Sequence, residues 1–124
     1  MDLVVTSLDE IPRILLNSGG NGNHWLLVNT IGRRSNRDGI GAALKLTTAS
    51  GRTLYNHVTT SVGFMSSSDK RVHFGLGPAT RVDRLEVRWP NGPSVPYAIP
   101  GVDRLVVIDQ ARGVLEPAAE RTTR

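Results

Sequence analysis

The sequence predicts an all-β fold, an antiparallel sandwich of roughly eight short strands, from three observations. Apolar and polar residues alternate with a period of two through much of the chain. Turn-forming residues recur at about every eight to twelve positions, the spacing of a multi-stranded β domain. A helical spacing of apolar residues is hard to find anywhere in the 124 residues.

Taken in order, Asp2–Ser7 and Pro12–Asn17 read as two strands joined by a polar turn. The glycine-rich stretch from Ser18 to Asn23 follows as a link. His24–Ile31 is mostly apolar on both sides, so its inward face is ambiguous. Ile40, Ala42, Leu44 and Leu46 form one apolar row, while Lys45 and Thr47 point away from it. Ala49-Ser50-Gly51-Arg52 is a hairpin turn into a strand over Thr53–Thr60. Val72, Phe74 and Leu76 alternate in the same way. Leu85, Val87 and Trp89 oppose Arg84, Glu86 and Arg88, which predicts a half-buried strand with a charged outer face and Trp89 in the core. Pro90, Pro93, Pro96 and Pro100 confine Ser94–Ile99 to a short edge strand, because proline cannot donate to a ladder. Leu105–Ile108 is apolar on both faces, as a central strand requires. Residues 111–124 read as a polar C-terminal tail, with Ala118–Arg124 mobile.

A chain of this length encloses a real hydrophobic core as one domain. It has no cysteine, which excludes disulfides, thiolate nucleophiles and cysteine-bound zinc. No apolar run approaches the roughly 18 residues of a membrane span. Met1–Val5 lacks the basic region and long apolar stretch of a secretion signal. The formal charge of +4 comes from basic residues scattered along the chain, of which only Arg33, Arg34 and Arg37 cluster closely. With few aromatic residues and no aromatic pair inside a basic strand, nucleic acid is an unlikely partner.

Ser35–Ala42 is the candidate functional loop. Asn36 and Asp38 offer oxygens two residues apart and Gly39 supplies a sharp turn, the start of a calcium-loop pattern that lacks a third carboxylate and a downstream glutamate. The structural alternative is that both side chains cap the turn, with Arg37 paired to an acid on a neighbouring loop. Arg33, Arg34 and Arg37 are the candidate partner-binding cations, and Trp25 the candidate glycan platform. Ser66-Ser67-Ser68-Asp69 with His73 lacks a nucleophile elbow and a recognisable oxyanion loop. Asp69 is read as capping the turn into the next strand and His73 as making a structural hydrogen bond, so no residue is assigned a catalytic role. His24, His57 and His73 show no metal-ligand spacing. Gly75-Leu76-Gly77 precedes no helix; it is read as a strand end with close backbone approach rather than a dinucleotide fingerprint.

Three punctuated segments together, Ser35-Asn36-Arg37-Asp38-Gly39-Ile40-Gly41-Ala42, Val72-His73-Phe74-Gly75-Leu76-Gly77 and Val87-Arg88-Trp89-Pro90-Asn91-Gly92, resemble the ASPIC/UnbV domain over residues 23–110. The resemblance makes Gly39, Gly41, Asp69, His73, Gly75, Gly77, Trp89 and Gly92 structural motif residues. It implies a non-enzymatic module at the C-terminal end of integrin-like (FG-GAP/VCBS) propeller repeats in a secreted or cell-envelope protein. Residues 1–22 then resemble the remnant of such a repeat plus its link. Asp2 matches only the last aspartate of the repeat's calcium loop, and one carboxylate cannot supply the six to eight oxygens calcium takes. No cofactor is implied for this chain; calcium belongs to the upstream propeller. The implied partners are that propeller and a protein or glycan ligand. Lys70 departs from the family pattern, standing where a turn-former such as proline is expected.

Overall fold

The computed structural model describes residues 2–19 and 21–115. Its strands are, in order, β1 (Leu3–Val5), β2 (Arg13–Leu15), β3 (His24–Ile31), β4 (Ala43–Thr48), β5 (Thr53–His57) and β6 (Ser61–Gly63). They continue as β7 (Ser66–Ser67), β8 (Val72–Gly77), β9 (Val82–Arg88), β10 (Ser94–Tyr97), β11 (Arg104–Asp109) and β12 (Gly113–Leu115). Eight of them make two four-stranded sheets, ordered β10-β9-β4-β5 and β12-β11-β3-β8. The pairs β1–β2 and β6–β7 are separate two-stranded hairpins.

Period-two alternation is the reason the layers close. Leu26 and Val28 of β3, Val106 and Ile108 of β11, and Val72, Phe74 and Leu76 of β8 turn inward from one sheet. Leu44 and Leu46 of β4 and Leu85 and Val87 of β9 meet them from the other. Trp89 lies in this core at 3% exposure, and its indole N–H donates to the Tyr97 hydroxyl at 3.3 Å. A buried indole needs such a partner, and β10 supplies it because Tyr97 pairs in register with Leu85. At the open side, the Asn56 side-chain amide donates to the His73 carbonyl at 3.1 Å, joining the two edge strands β5 and β8.

Several details differ from the pattern in the sequence. The sheet β12-β11-β3-β8 is mixed, because β11 runs parallel to β3, from Arg104 opposite Leu26 to Asp109 opposite Ile31. The chain reaches β11 by crossing over from the other sheet, so it enters beside β3 in the same direction. Ile40 is 42% exposed; the inward row begins at Ala42, since Gly39 and Gly41, both at positive φ, turn the backbone before β4. The predicted strand from Thr53 ends at His57, and the β6–β7 hairpin follows it. The edge of the second sheet is β12, within the stretch read as tail, with Val107 opposite Leu115. Ala118–Arg124 lies outside the described residues.

The first hairpin pairs Leu3 with Leu15, Val4 with Ile14 and Val5 with Arg13. Every residue in it is exposed, Leu8, Ile11 and Leu16 most of all. Exposed apolar residues also form the tip of the β6–β7 hairpin, at Phe64 and Met65.

Core packing sets the expected mutational contrast. Leu85→Ala removes a fully buried side chain and is expected to cost about 2–5 kcal/mol. Tyr55→Ala, on the solvent side of an edge strand, is expected to change stability by no more than about 0.5 kcal/mol. Chemical denaturation of both variants checks the contrast.

Candidate functional site

The segment from Gly32 to Gly41 is a tightly specified corner. β3 and β11 finish together, with Ile31 opposite Asp109, so the loop leaving β3 lands on the turn leaving β11. Gln110 hydrogen-bonds through its main-chain N–H to the Ile31 carbonyl at 2.9 Å. Its side-chain oxygen accepts from three successive amides, Arg33 at 2.8 Å, Arg34 at 2.8 Å and Ser35 at 3.0 Å. Its side-chain NH2 donates to the Ser35 hydroxyl at 3.1 Å. Three amides converging on one point form a backbone concavity of the kind that holds anions, and here the Gln110 carboxamide fills it.

Beneath this corner, Asp109 is completely buried. Its Oδ2 accepts from Arg33 Nε at 3.0 Å and Nη2 at 2.7 Å, and its Oδ1 accepts from the amides of Ala111 and Arg112. Those bonds, the Arg33 guanidinium first, hold the carboxyl at about 2 against the opposing effect of burial. A buried carboxylate is tolerated only when paired and hydrogen-bonded, and Asp109 meets both conditions.

The far half of the loop is locked to the core. Asn36 clamps Ile40, accepting from its N–H and donating to its carbonyl, both at 2.8 Å. Thr30 donates its hydroxyl to the Asp38 carbonyl at 2.8 Å. Gly39, at φ 69°, lies where a Cβ would come 2.6 Å from the Thr30 hydroxyl and 3.2 Å from the Trp89 ring. Gly32 is equally constrained, since a Cβ there would fall 2.0 Å from the Asn36 carbonyl oxygen.

The loop residues singled out in the sequence therefore divide by what they touch. Asn36 caps the turn. The Asp38 carboxylate instead pairs with Lys70 at 2.7 Å, giving a task to the residue that departs from the family pattern. The acid-paired arginine is Arg33 rather than Arg37. Arg34 and Arg37 are exposed, and neither side chain has a hydrogen-bond or ion-pair partner among the described residues. An open cleft of about 730 Å3 adjoins Arg37, lined also by Asn29, Ile31, Arg33, Ser35 and Asp38 among others. Among the described residues, no group of three or more acidic or histidine side chains is placed to hold a metal ion.

A second feature lies at the other end of β3. Trp25 is 38% exposed and stacks on the His73 ring, with centroids 6.4 Å apart and planes within 14°. Partial burial lowers the pKa of His73. The expected structural hydrogen bond of His73 is made by its carbonyl, while its ring face is given to Trp25. Gly75 stands opposite Trp25 and has open space where a Cβ would be, so the expected close backbone approach is absent there. Gly77, at φ 60°, ends the strand. In the third motif the left-handed residue is Asn91, and Gly92 closes the turn by donating to the Trp89 carbonyl at 3.0 Å. Next to Trp25, His24 Nδ1 meets Asp103 Oδ2 at 2.6 Å, and Asp103 also accepts from the Trp25 N–H. The His24 bond is the main cause that lowers the Asp103 pKa. Asp69 is turned to Arg71, through its main-chain N–H at 2.9 Å and its guanidinium, and not toward His73.

Asp109 and Gln110 are the site residues that sequence reasoning missed. They stand 75 to 77 positions from their partners, and only the parallel pairing of β3 with β11 brings them there.

Two measurements follow from this geometry. The native Asp109 carboxyl titrates at about 2, below the ordinary aspartate value near 3.9. Its stabilisation is therefore complete above about pH 5 and is lost as the pH falls from about 4 to 2. Thermal unfolding against pH is expected to show a lower Tm for Asp109→Asn at pH 7 and a shallower acid limb than the wild type. Gly39→Ala is expected to destabilise by about 1–3 kcal/mol, because it adds a Cβ at a left-handed position with no room for it.

The family model described as ASPIC and UnbV matches residues 32–114, from the first glycine of this loop to the edge strand β12. No curated protein matches the chain.

Proposed function

The chain belongs to the ASPIC and UnbV family, and from that membership we propose that it is a non-enzymatic interaction module. It terminates a propeller-repeat protein of the cell envelope or extracellular space and presents the Arg33–Gly39 loop to a protein or glycan. The observation that carries this reading is the division of labour within the loop. A buried carboxylate, a glutamine and two close-packed glycines fix its backbone, while Arg34 and Arg37 remain exposed, Arg37 beside a cleft. Rigid display of arginine lowers the entropy lost on capture of a carboxylate or sulfate, which the planar guanidinium meets with two hydrogen bonds.

The first hairpin supports the propeller context. Leu3 and Leu15 lie on one of its faces and Val4 and Ile14 on the other. A two-stranded ribbon apolar on both sides suits a sheet covered on both faces, as a propeller blade is, and is marginal alone in water.

Binding to an immobilised acidic glycan and to a polyglutamate surface tests the loop. At least one surface is expected to capture the wild-type chain, and R34A/R37A is expected to lose that capture while unfolding within about 0.5 kcal/mol of it. Absence of capture by both surfaces, or equal capture of the double variant, overturns the reading.

The Trp25–His73 stack favours a second reading, a carbohydrate-binding module. A half-exposed indole beside the open floor at Gly75 offers an apolar ring to the C–H face of a pyranose. Tryptophan emission across a panel of neutral sugars is expected to change for this module, and Trp25→Ala to abolish the change. Unaltered emission with every sugar counts against it.

A further inference from the structure

The outward faces of the two sheets differ in chemistry. On the β10-β9-β4-β5 sheet, Lys45, Arg84, Glu86 and Arg88 lie on the outer face, and Glu86 lies 3.2 Å from Lys45 and 3.8 Å from Arg84. That face is charged, with three cations to one acid. On the other sheet, the residues alternating with buried Leu26, Val28, Val106 and Ile108 are Leu27, Asn29, Leu105 and Val107. Leu27 is opposite Leu105, and Val107 is opposite Leu115 on one side and Asn29 on the other, so four apolar side chains, interrupted by Asn29, make a patch across β3, β11 and β12. These four side chains are half-buried and lie outside the apolar cluster between the sheets. Trp25 borders the patch at one end; Ile31 and the loop bearing Arg34 and Arg37 border it at the other.

An apolar centre with an arginine and tryptophan rim is the make-up of a protein-binding surface rather than of a solvated sheet. The chain itself indicates what sits on it. The link from Ser18 to Asn23 joins the β1–β2 hairpin to the first residue of β3. Eight residues, 16–23, separate β2 from β3 and reach at most about 28 Å when extended, so any body built on the hairpin is tethered to the Trp25 end of this sheet. The hairpin, apolar on both faces, needs such a body around it. Building on the reading of a terminal module, we infer that the outer face of β3, β11 and β12 seats the preceding β domain of the same polypeptide. The hairpin is that domain's last.

Hydroxyl-radical footprinting of the full-length gene product and of the 124-residue chain tests this. In the full-length protein Leu27, Leu105, Val107 and Leu115 are expected to be protected from oxidation, and in the isolated chain to be reactive. Val107→Lys in the full-length protein is expected to abolish that protection while strands of the sandwich keep their amide-exchange protection. Conservative Val107→Ile is expected to retain it. A preceding β domain with this face equally reactive in both proteins overturns the inference and leaves the module reading intact. A gene product with no β domain before residue 2 overturns both. Protection already present in the isolated chain, accompanied by a dimer in light scattering, assigns the face to a second copy and overturns the inference.

Discussion

A buried carboxylate at the end of one strand, tied to the loop that leaves its neighbour, governs the corner at one end of this sandwich. Asp109 is taken fully out of water and is stable there because Arg33 and two turn amides satisfy it. Gln110, the next residue, gathers the amides of Arg33, Arg34 and Ser35 on one oxygen. Together they turn a stretch of polar sequence with little apolar content into a defined shape. The requirement runs backward into the fold. Only a parallel β3–β11 register that ends Ile31 level with Asp109 places these groups within reach.

Much of the architecture was legible in the sequence because it depends on local alternation. The rows through Leu44 and Leu46, through Phe74 and Leu76, and through Leu85 and Val87 are inward as expected, and Trp89 is core. The prolines confined β10 to an edge, as their missing N–H groups require. The features that were not legible depend on distant pairing. Nothing near Ile31 announces Asp109, and nothing in Gly113–Leu115 announces an edge strand until β11 is beside it. Ile40 misled because its apolar character continued a row that two positive-φ glycines interrupt. In the loop, turn chemistry located the corner correctly, yet the Asp38 carboxylate pairs with Lys70 rather than with turn amides, and the arginine paired to an acid is Arg33 rather than Arg37.

The same division separates the residues that hold the corner from those left exposed. Residues that hold the corner, namely Gly32, Asn36, Gly39, Asp109 and Gln110, point into the protein or to one another. Residues available to something else, namely Arg34, Arg37 and Trp25, project from the ends of β3. The apolar patch between those ends gives the molecule one face unlike the other, and the charged sheet opposite shows that the asymmetry is not a general property of its surface. Family membership fixes the kind of domain, and this asymmetry gives the domain a direction.

Amide hydrogen exchange in Gln110→Ala tests the central claim most directly. If the Gln110 side chain organises the loop, the amides of Arg33, Arg34 and Ser35 lose their protection in the variant, while those of Val28 and Val106 in the core strands keep theirs. Unchanged protection at the three loop amides would contradict the account.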